Sequence, residues 1–461
     1  MTQSGIWRRS LFVSCFIGHC LYYVTRKSLT FSVPILMEDS TMRMTKRDFG
    51  LMASLQMITY SIGKFLTGFL VDQYSNKKIF CFGLFCCGLT NLAFSAVGEK
   101  NMFFWIVLAN GFFQAFGWNA IAVLVNQWYN KAEIGTVWSL LSSTINIGTS
   151  ITPFIIMVIT KDHHWKTCFF IIGSITCVFA LIATVTIKEY QKPLPGLSDD
   201  KNKQSGVSSS TKVGNTADTN ISKSSDSSQT ISTKNEGTGS TPTSSPFTLL
   251  FTSPVFWLIS SCYLLWSLVK VGSEDWLQLY LLTGRSSSQT EANFNVMVFQ
   301  TGGFIASLIS GGISDVLVQK YSTKMTGNPR VLVMIVSTLT SIVAFLLFIL
   351  LDVVQLTKAT VTIILSLACF ILGFSCYGPH TLLGLVVMES APSEMKGTTH
   401  SLSTTISTVG SVLGGYPLAF ISSSYGWNGA YTSLMAISGV TCILFISLTQ
   451  IEMKISKLKK D

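Results

Sequence analysis

Long apolar stretches recur along the chain, each bounded by a short polar break, and they predict helices that cross a bilayer. A spanning helix needs about 20 mostly apolar residues. Stretches that qualify lie near 11–36, 49–72, 78–97, 102–128, 135–159 and 166–187, then near 254–282, 291–317, 331–351, 359–388, 398–421 and 428–449. Six spans, a gap and six more predict an all-α membrane protein of twelve transmembrane helices, in bundles over 1–187 and 251–461. The first stretch follows Arg8-Arg9 as a leader would, but so many similar stretches follow that it reads as helix 1.

The gap, 188–250, is rich in Ser, Thr, Lys, Asn, Asp and Gly and almost free of aromatics. Such a composition cannot bury enough apolar surface to offset ordering, which predicts a disordered linker. An even number of spans places both termini on one side. That side collects Arg8-Arg9, Lys77-Lys78, the linker lysines, Lys320, Lys324, Arg330 and the lysines from Lys454 to Lys460. Positive residues favour the inner face, so the termini and linker are expected in the cytosol, and the sequon Asn220-Ile221-Ser222 is expected to stay unused.

Composition agrees with lipid as the solvent. Charged residues make up 12% and hydrophobic residues 48%, with a mean hydropathy of +0.48, whereas soluble domains carry roughly 25% charge. The net charge of +10 sits in the polar breaks, and no basic stripe interleaved with aromatics points to nucleic acid. The 11 cysteines have neither metal-type nor disulfide-type spacing and read as small buried hydrophobes. No nucleotide-binding glycine loop, nucleophile elbow or metal-ligand set is present. The chain is expected to be a carrier driven by solute gradients, not an enzyme, with no cofactor and no metal.

The halves look related. Adding 262 maps Gly135 to Gly397, Gly148 to Gly410 and Trp165 to Trp427 without a gap. Gly68-x-x-x-Asp72 likewise parallels Gly311-x-x-x-Asp315 near the ends of the second and eighth spans. Glycine permits close helix approach and an acid can accept from loop donors, so Asp72 and Asp315 are assigned to gating and structure.

Ionisable side chains inside a span cost about 2.5–3.5 kcal/mol each on insertion scales, so each requires a reason. Arg26 and Lys27 interrupt helix 1, Lys64 lies in helix 2 and Lys270 in helix 7. Arg26 stands 46 residues before Asp72 and Lys270 stands 45 before Asp315, so each half offers a basic group from an equivalent place. A cleft between the halves could thus hold an anion from both sides. A phosphate monoester, with a charge of about −1.5 to −2 and three acceptor oxygens, suits a guanidinium fork plus lysine point charges. Other roles stay open: Lys27 could pair structurally, and Lys270 could pair with Glu274 or Asp275. His400 could donate to the ligand or simply pack. Tyr22, Tyr23, Trp118, Asn119, Asn146 and Tyr377 could line the cleft or pack between helices, and Tyr22, Trp118, Asn146 and His400 are carried forward as site candidates. His163-His164 sit in a short loop and read as solvated.

Several motifs resemble the organophosphate/phosphate antiporter family of the major facilitators, and within it the endoplasmic-reticulum glucose-6-phosphate exchangers. They are Leu21 through Lys27, Ser61-Ile62-Gly63-Lys64-Phe65 with Asp72-Gln73, Gly117-Trp118, Val269-Lys270 with Asp275-Trp276, Gly327-Asn328-Pro329-Arg330, Tyr377-Gly378-Pro379, and Glu389-Ser390-Ala391-Pro392 before Gly397-Thr398-Thr399-His400. The resemblance covers nearly the whole chain outside the linker. It implies exchange of glucose 6-phosphate for inorganic phosphate by alternating access, with Arg26 and Lys270 as the phosphate clamp and Lys64 as a pore-lining cation. It also implies an endoplasmic-reticulum membrane location, with a glucose-6-phosphatase as functional partner. Lys457-Leu458-Lys459-Lys460-Asp461 fits a lysine-based retrieval signal or plain cytosolic charge. Departures from the family pattern, Asn119 through Val123 after Gly117-Trp118 and Ile145 where bacterial relatives carry a histidine, touch the sugar end more than the phosphate end. Two rival readings are a carrier of another organic anion and a non-transporting membrane sensor or scaffold on the same fold.

Overall fold

The computed structural model describes residues 3–129, 134–189, 251–321, 328–354, 357–391 and 396–458. The predicted linker falls almost wholly outside these residues, and so does the end of the lysine-rich tail. Thirteen helices carry the described chain. They are α1 (Gln3–Glu38), α2 (Lys46–Gln73), α3 (Asn76–Ala96), α4 (Lys100–Trp128), α5 (Ile134–Ser142), α6 (Thr144–Thr160), α7 (Trp165–Thr186), α8 (Pro254–Thr283), α9 (Gln289–Tyr321), α10 (Arg330–Val353), α11 (Lys358–Ser390), α12 (Lys396–Leu413) and α13 (Tyr416–Leu458).

Thirteen helices arise from twelve spans because two spans are broken and two are joined. The fifth span divides at Ser143 into α5 and α6, and the eleventh breaks at Gly414-Gly415. The remainder of the eleventh then runs into the twelfth as α13 through Gly426, whose φ of 73° only glycine adopts without strain. Nine stretches among the described residues are long and apolar enough to cross a membrane, one of them, Thr399–Lys454, covering two spans. Helices α1 and α2 are not among the nine. They carry Arg26, Lys27 and Lys64, charges that lower their hydropathy.

Each half has its own packed interior. In the first, Tyr22, Phe80, Leu84, Phe116, Ile121 and Leu124 pack together, and Asn110 links α4 to α2 and α3 by accepting from Gln56 at 2.9 Å and donating to Thr90 at 2.7 Å. In the second, Trp266 donates to the Cys376 carbonyl at 2.9 Å, and the rings of Tyr431 and Phe348 stack 5.2 Å apart. Buried polar groups inside a bilayer need partners within the protein, and these hydrogen bonds supply them.

The halves are joined where α1 ends and α2 begins. Ser54 donates to the Val412 carbonyl at 2.6 Å and accepts from the Tyr416 amide at 2.9 Å. Phe49 meets Trp276 edge-on at 5.0 Å, and Asn293 donates to the Pro153 carbonyl at 3.1 Å. Gly50 makes this contact possible, because a Cβ there would run into Ala419, Gly415 and Tyr416. Toward the opposite end of α2 and α9 the surroundings differ: a Cβ on Gly68, Gly311 or Gly312 would meet nothing within 4 Å. The molecule is closed between the halves at one end.

Candidate functional site

A cavity of about 190 Å³ lies between the halves. The first half contributes Tyr23, Arg26 and Lys27 from α1, Met57, Tyr60 and Lys64 from α2, and Ile145 from α6. Arg26 and Lys27 are sequence neighbours about 100° apart around α1, and both still reach the cavity, Lys27 by pointing directly at the other half. Lys64 lies one helical turn beyond Tyr60, which puts the two on one face of α2. The second half contributes Lys270, Glu274 and Asp275 from α8, together with Tyr263, His380 of α11 and a face of α12.

Charges in this cavity fall into two groups. Lys27 bridges the halves, with its ammonium 2.7 Å from Glu274 Oε1 and also paired with Asp275. Lys270 lies 3.1 Å from Glu274 Oε2, one turn away on the same helix, and 4.3 Å from the centre of the Tyr377 ring. The Tyr377 hydroxyl is also within hydrogen-bonding distance of Glu274, at 3.1 Å, and of Gln300, at 3.0 Å. Two lysines therefore balance two carboxylates. Arg26 and Lys64 form the second group, and both lie over the Tyr60 ring, at 5.0 and 5.9 Å from its centre. The Arg26 guanidinium also contacts Met57 Sδ at 2.9 Å and the Tyr23 ring at 5.9 Å. Neither has a carboxylate partner among the described residues. Four cations against two carboxylates leave two positive charges unmatched.

Of the sequence candidates, Arg26, Lys27, Lys64 and Lys270 line one cavity, and four others are not among its lining residues. Tyr22 faces the first half's interior, where its hydroxyl donates to the Phe80 carbonyl at 2.8 Å, and its neighbour Tyr23 takes the cavity position instead. Trp118 packs against Trp138 and His19, each 5.0 Å away. Asn146 is buried in α6 while Ile145 reaches the cavity. His400 packs against Gly384 of α11. Lys270 is held by Glu274, whereas Arg26 has no carboxylate partner among the described residues.

Asp315 accepts from Arg330 at 2.7 Å, and Arg330 also donates to Glu389 at 2.9 Å, which ties together the polar ends of α9, α10 and α11. The side chain of Asp72 lies outside the described residues. Sequence reasoning missed His380 and Tyr60 at the cavity. Tyr60 was findable from its place one turn before Lys64. His380 carried no comparable signal. No cluster of metal-ligating side chains occurs among the described residues.

Two pseudo-symmetric bundles of six spans around a charged cavity near mid-span define a major-facilitator carrier. The Major Facilitator Superfamily profile matches residues 15–415, and the chain belongs to that superfamily, whose members are membrane transporters rather than enzymes. A probable hexose phosphate transport protein of Chlamydia trachomatis is 29% identical, over 96% of this chain and 91% of its own. The membrane sensor protein UhpC of Escherichia coli is 25% identical over 95% and 91%, and the mouse glucose-6-phosphate exchanger SLC37A2 is 24% identical over 85% and 77%. Among solved structures, the nucleoside transporter NupG superposes with a TM-score of 0.68 at 13% identity, over 96% of this chain and 99% of that one, a likeness of fold.

Proposed function

We propose that this protein exchanges a sugar phosphate, glucose 6-phosphate, for inorganic phosphate by alternating access. The observation that carries the reading is the surplus of two positive charges in the cavity between the halves. Arg26 offers a planar fork to two phosphoryl oxygens, and Lys64 a point charge to a third. A phosphate dianion matches the surplus. A monocarboxylate leaves one charge over, and a neutral sugar leaves two. Relatives named for hexose phosphate transport and glucose-6-phosphate exchange support the same substrate class.

Obligatory exchange follows from electrostatics. An empty cavity holding two unmatched cations is costly to dehydrate, and rocking the halves from one opening to the other requires a dehydrated intermediate. A bound dianion lowers that cost, so the loaded carrier crosses and the empty one does not. The positive-inside topology makes the joined end luminal and sets the cavity to open toward the cytosol. We place the carrier in the endoplasmic-reticulum membrane, the location that the resemblance of its motifs implies.

The experiment is uptake of labelled glucose 6-phosphate into proteoliposomes loaded with phosphate or left empty. Loaded vesicles are expected to accumulate label and empty ones not. Equal uptake would sink exchange. Ligand binding without any uptake would favour a sensor, as the likeness to UhpC makes worth checking.

A further inference from the structure

We infer that α11 and α12, with Tyr263, form a subsite for sugar hydroxyls, so that the ligand is a polyhydroxylated phosphate ester held with its phosphoryl end toward α1 and α2. The inference rests on the phosphate-exchange reading above and adds the other end of the ligand to it.

The two walls of the cavity differ in what they can bond. Arg26 and Lys64, on the first half, are donors only. From the second half, α11 and α12 bring no lysine, arginine or carboxylate to the cavity; they bring His380, Thr404, Ser407, Thr408 and Ser411. The last four recur at steps of three, one and three, which places them on one face of a helix with about 3.6 residues per turn.

The direction of their hydrogen bonds decides their role. Thr404 donates its hydroxyl proton to the Ser401 carbonyl at 2.9 Å. Ser407 and Thr408 both donate to the Thr404 carbonyl, each at 2.9 Å. A hydroxyl has one proton and two lone pairs, so in this arrangement these three present lone pairs to the cavity. A phosphate oxygen is also an acceptor and gains nothing there. A sugar hydroxyl donates, and it fits.

His380 completes the wall. Its ring packs edge-on to Tyr263, 5.4 Å between centres, and a neutral imidazole offers one donor and one acceptor. Cations on one side and uncharged hydroxyls with an imidazole on the other thus give the cavity a polarity that an ester of phosphate with a polyol matches end to end. If the hydroxyl face merely packs α12, transport will not depend on the substrate's own hydroxyls.

The experiment uses the reconstituted full-length protein. Hexose 6-phosphate and its singly deoxygenated analogues compete against labelled phosphate in phosphate/phosphate exchange. Each hydroxyl that engages the wall is expected to be worth roughly twofold to tenfold in inhibition constant, as one neutral hydrogen bond is. The variants Thr404→Val with Thr408→Val, and His380→Phe, are expected to raise the KM for hexose 6-phosphate about tenfold and that for phosphate much less, and to flatten the difference between parent and deoxy analogues. A flat deoxy series with the unaltered protein overturns the subsite, as does an equal loss for phosphate and hexose phosphate in the variants. Absence of phosphate/phosphate exchange in the unaltered protein overturns the carrier reading itself.

Discussion

Lys27 of α1 and Glu274 of α8 meet at 2.7 Å across the boundary between the halves, with side chains only 7% and 5% exposed. Each comes from the first helix of its half. Both residues line the cavity, so the contact couples the halves directly there. A buried pair contributes little net stability while it is whole, but removing one partner strands a charge.

Lys27→Met is therefore expected to destabilise the protein by about 3–5 kcal/mol. It leaves Glu274 with Lys270 but strips Asp275 of its cation. Adding Asp275→Asn restores the balance of one lysine to one carboxylate and should recover most of the loss. Melting of the detergent-solubilised protein measures both, and a double variant as unstable as the single one would contradict the assignment.

Arg26 has no carboxylate partner among the described residues, so its removal strands nothing. Arg26→Ala should leave the melting temperature nearly unchanged while lowering kcat/KM for phosphate exchange roughly tenfold to hundredfold, the worth of charge-assisted hydrogen bonds. Arg26→Lys keeps the charge and loses the fork, so it should rescue only in part. Vesicle counterflow checks both; full activity in the alanine variant would remove Arg26 from the binding role.

Gly50 lies where α2 crosses the start of α13, and a Cβ there would come within 3.0 Å of the Gly415 carbonyl oxygen and closer still to Ala419. Gly50→Val should push the joined end apart while sparing both bundle interiors. An overpacking cost of about 1–3 kcal/mol is enough to shift the balance of the two openings by roughly tenfold to hundredfold. Spin labels across the joined end should report a longer distance, and transport should fall. An unchanged distance would show that the joint yields locally.

Asp39 follows α1 at the membrane edge and ties it to α7. It accepts from the Thr41 hydroxyl at 2.5 Å, the Thr41 amide at 2.7 Å and the Trp165 indole at 2.6 Å. The Thr41 and Trp165 hydrogen bonds draw its pKa down to about 2 from the ordinary 3.8. A depressed carboxylate stabilises the fold above its ordinary pKa, and the contribution fades as pH falls through the folded value. The melting-temperature gap between the unaltered protein and Asp39→Asn should be widest above about pH 4 and close toward pH 2. A gap independent of pH would contradict the account.

The apolar runs, their polar breaks and the 262-residue register determined by themselves that this chain crosses a bilayer twelve times in two related halves. The insertion cost of Arg26, Lys27, Lys64 and Lys270 likewise singled these four out, since a charge in a span demands a counterpart. Which counterpart each cation takes was decided only by tertiary structure. Spacing along a helix gives relative angles around its axis, but the absolute rotation depends on how the helix packs. That rotation turned Tyr23 and Ile145 into the cavity and Tyr22 and Asn146 away from it. Packing also gave Lys27 to Glu274 and Asp275 and Lys270 to Glu274, and left the surplus charge on Arg26 and Lys64, because side chains from distant parts of the chain compete for the same two carboxylates.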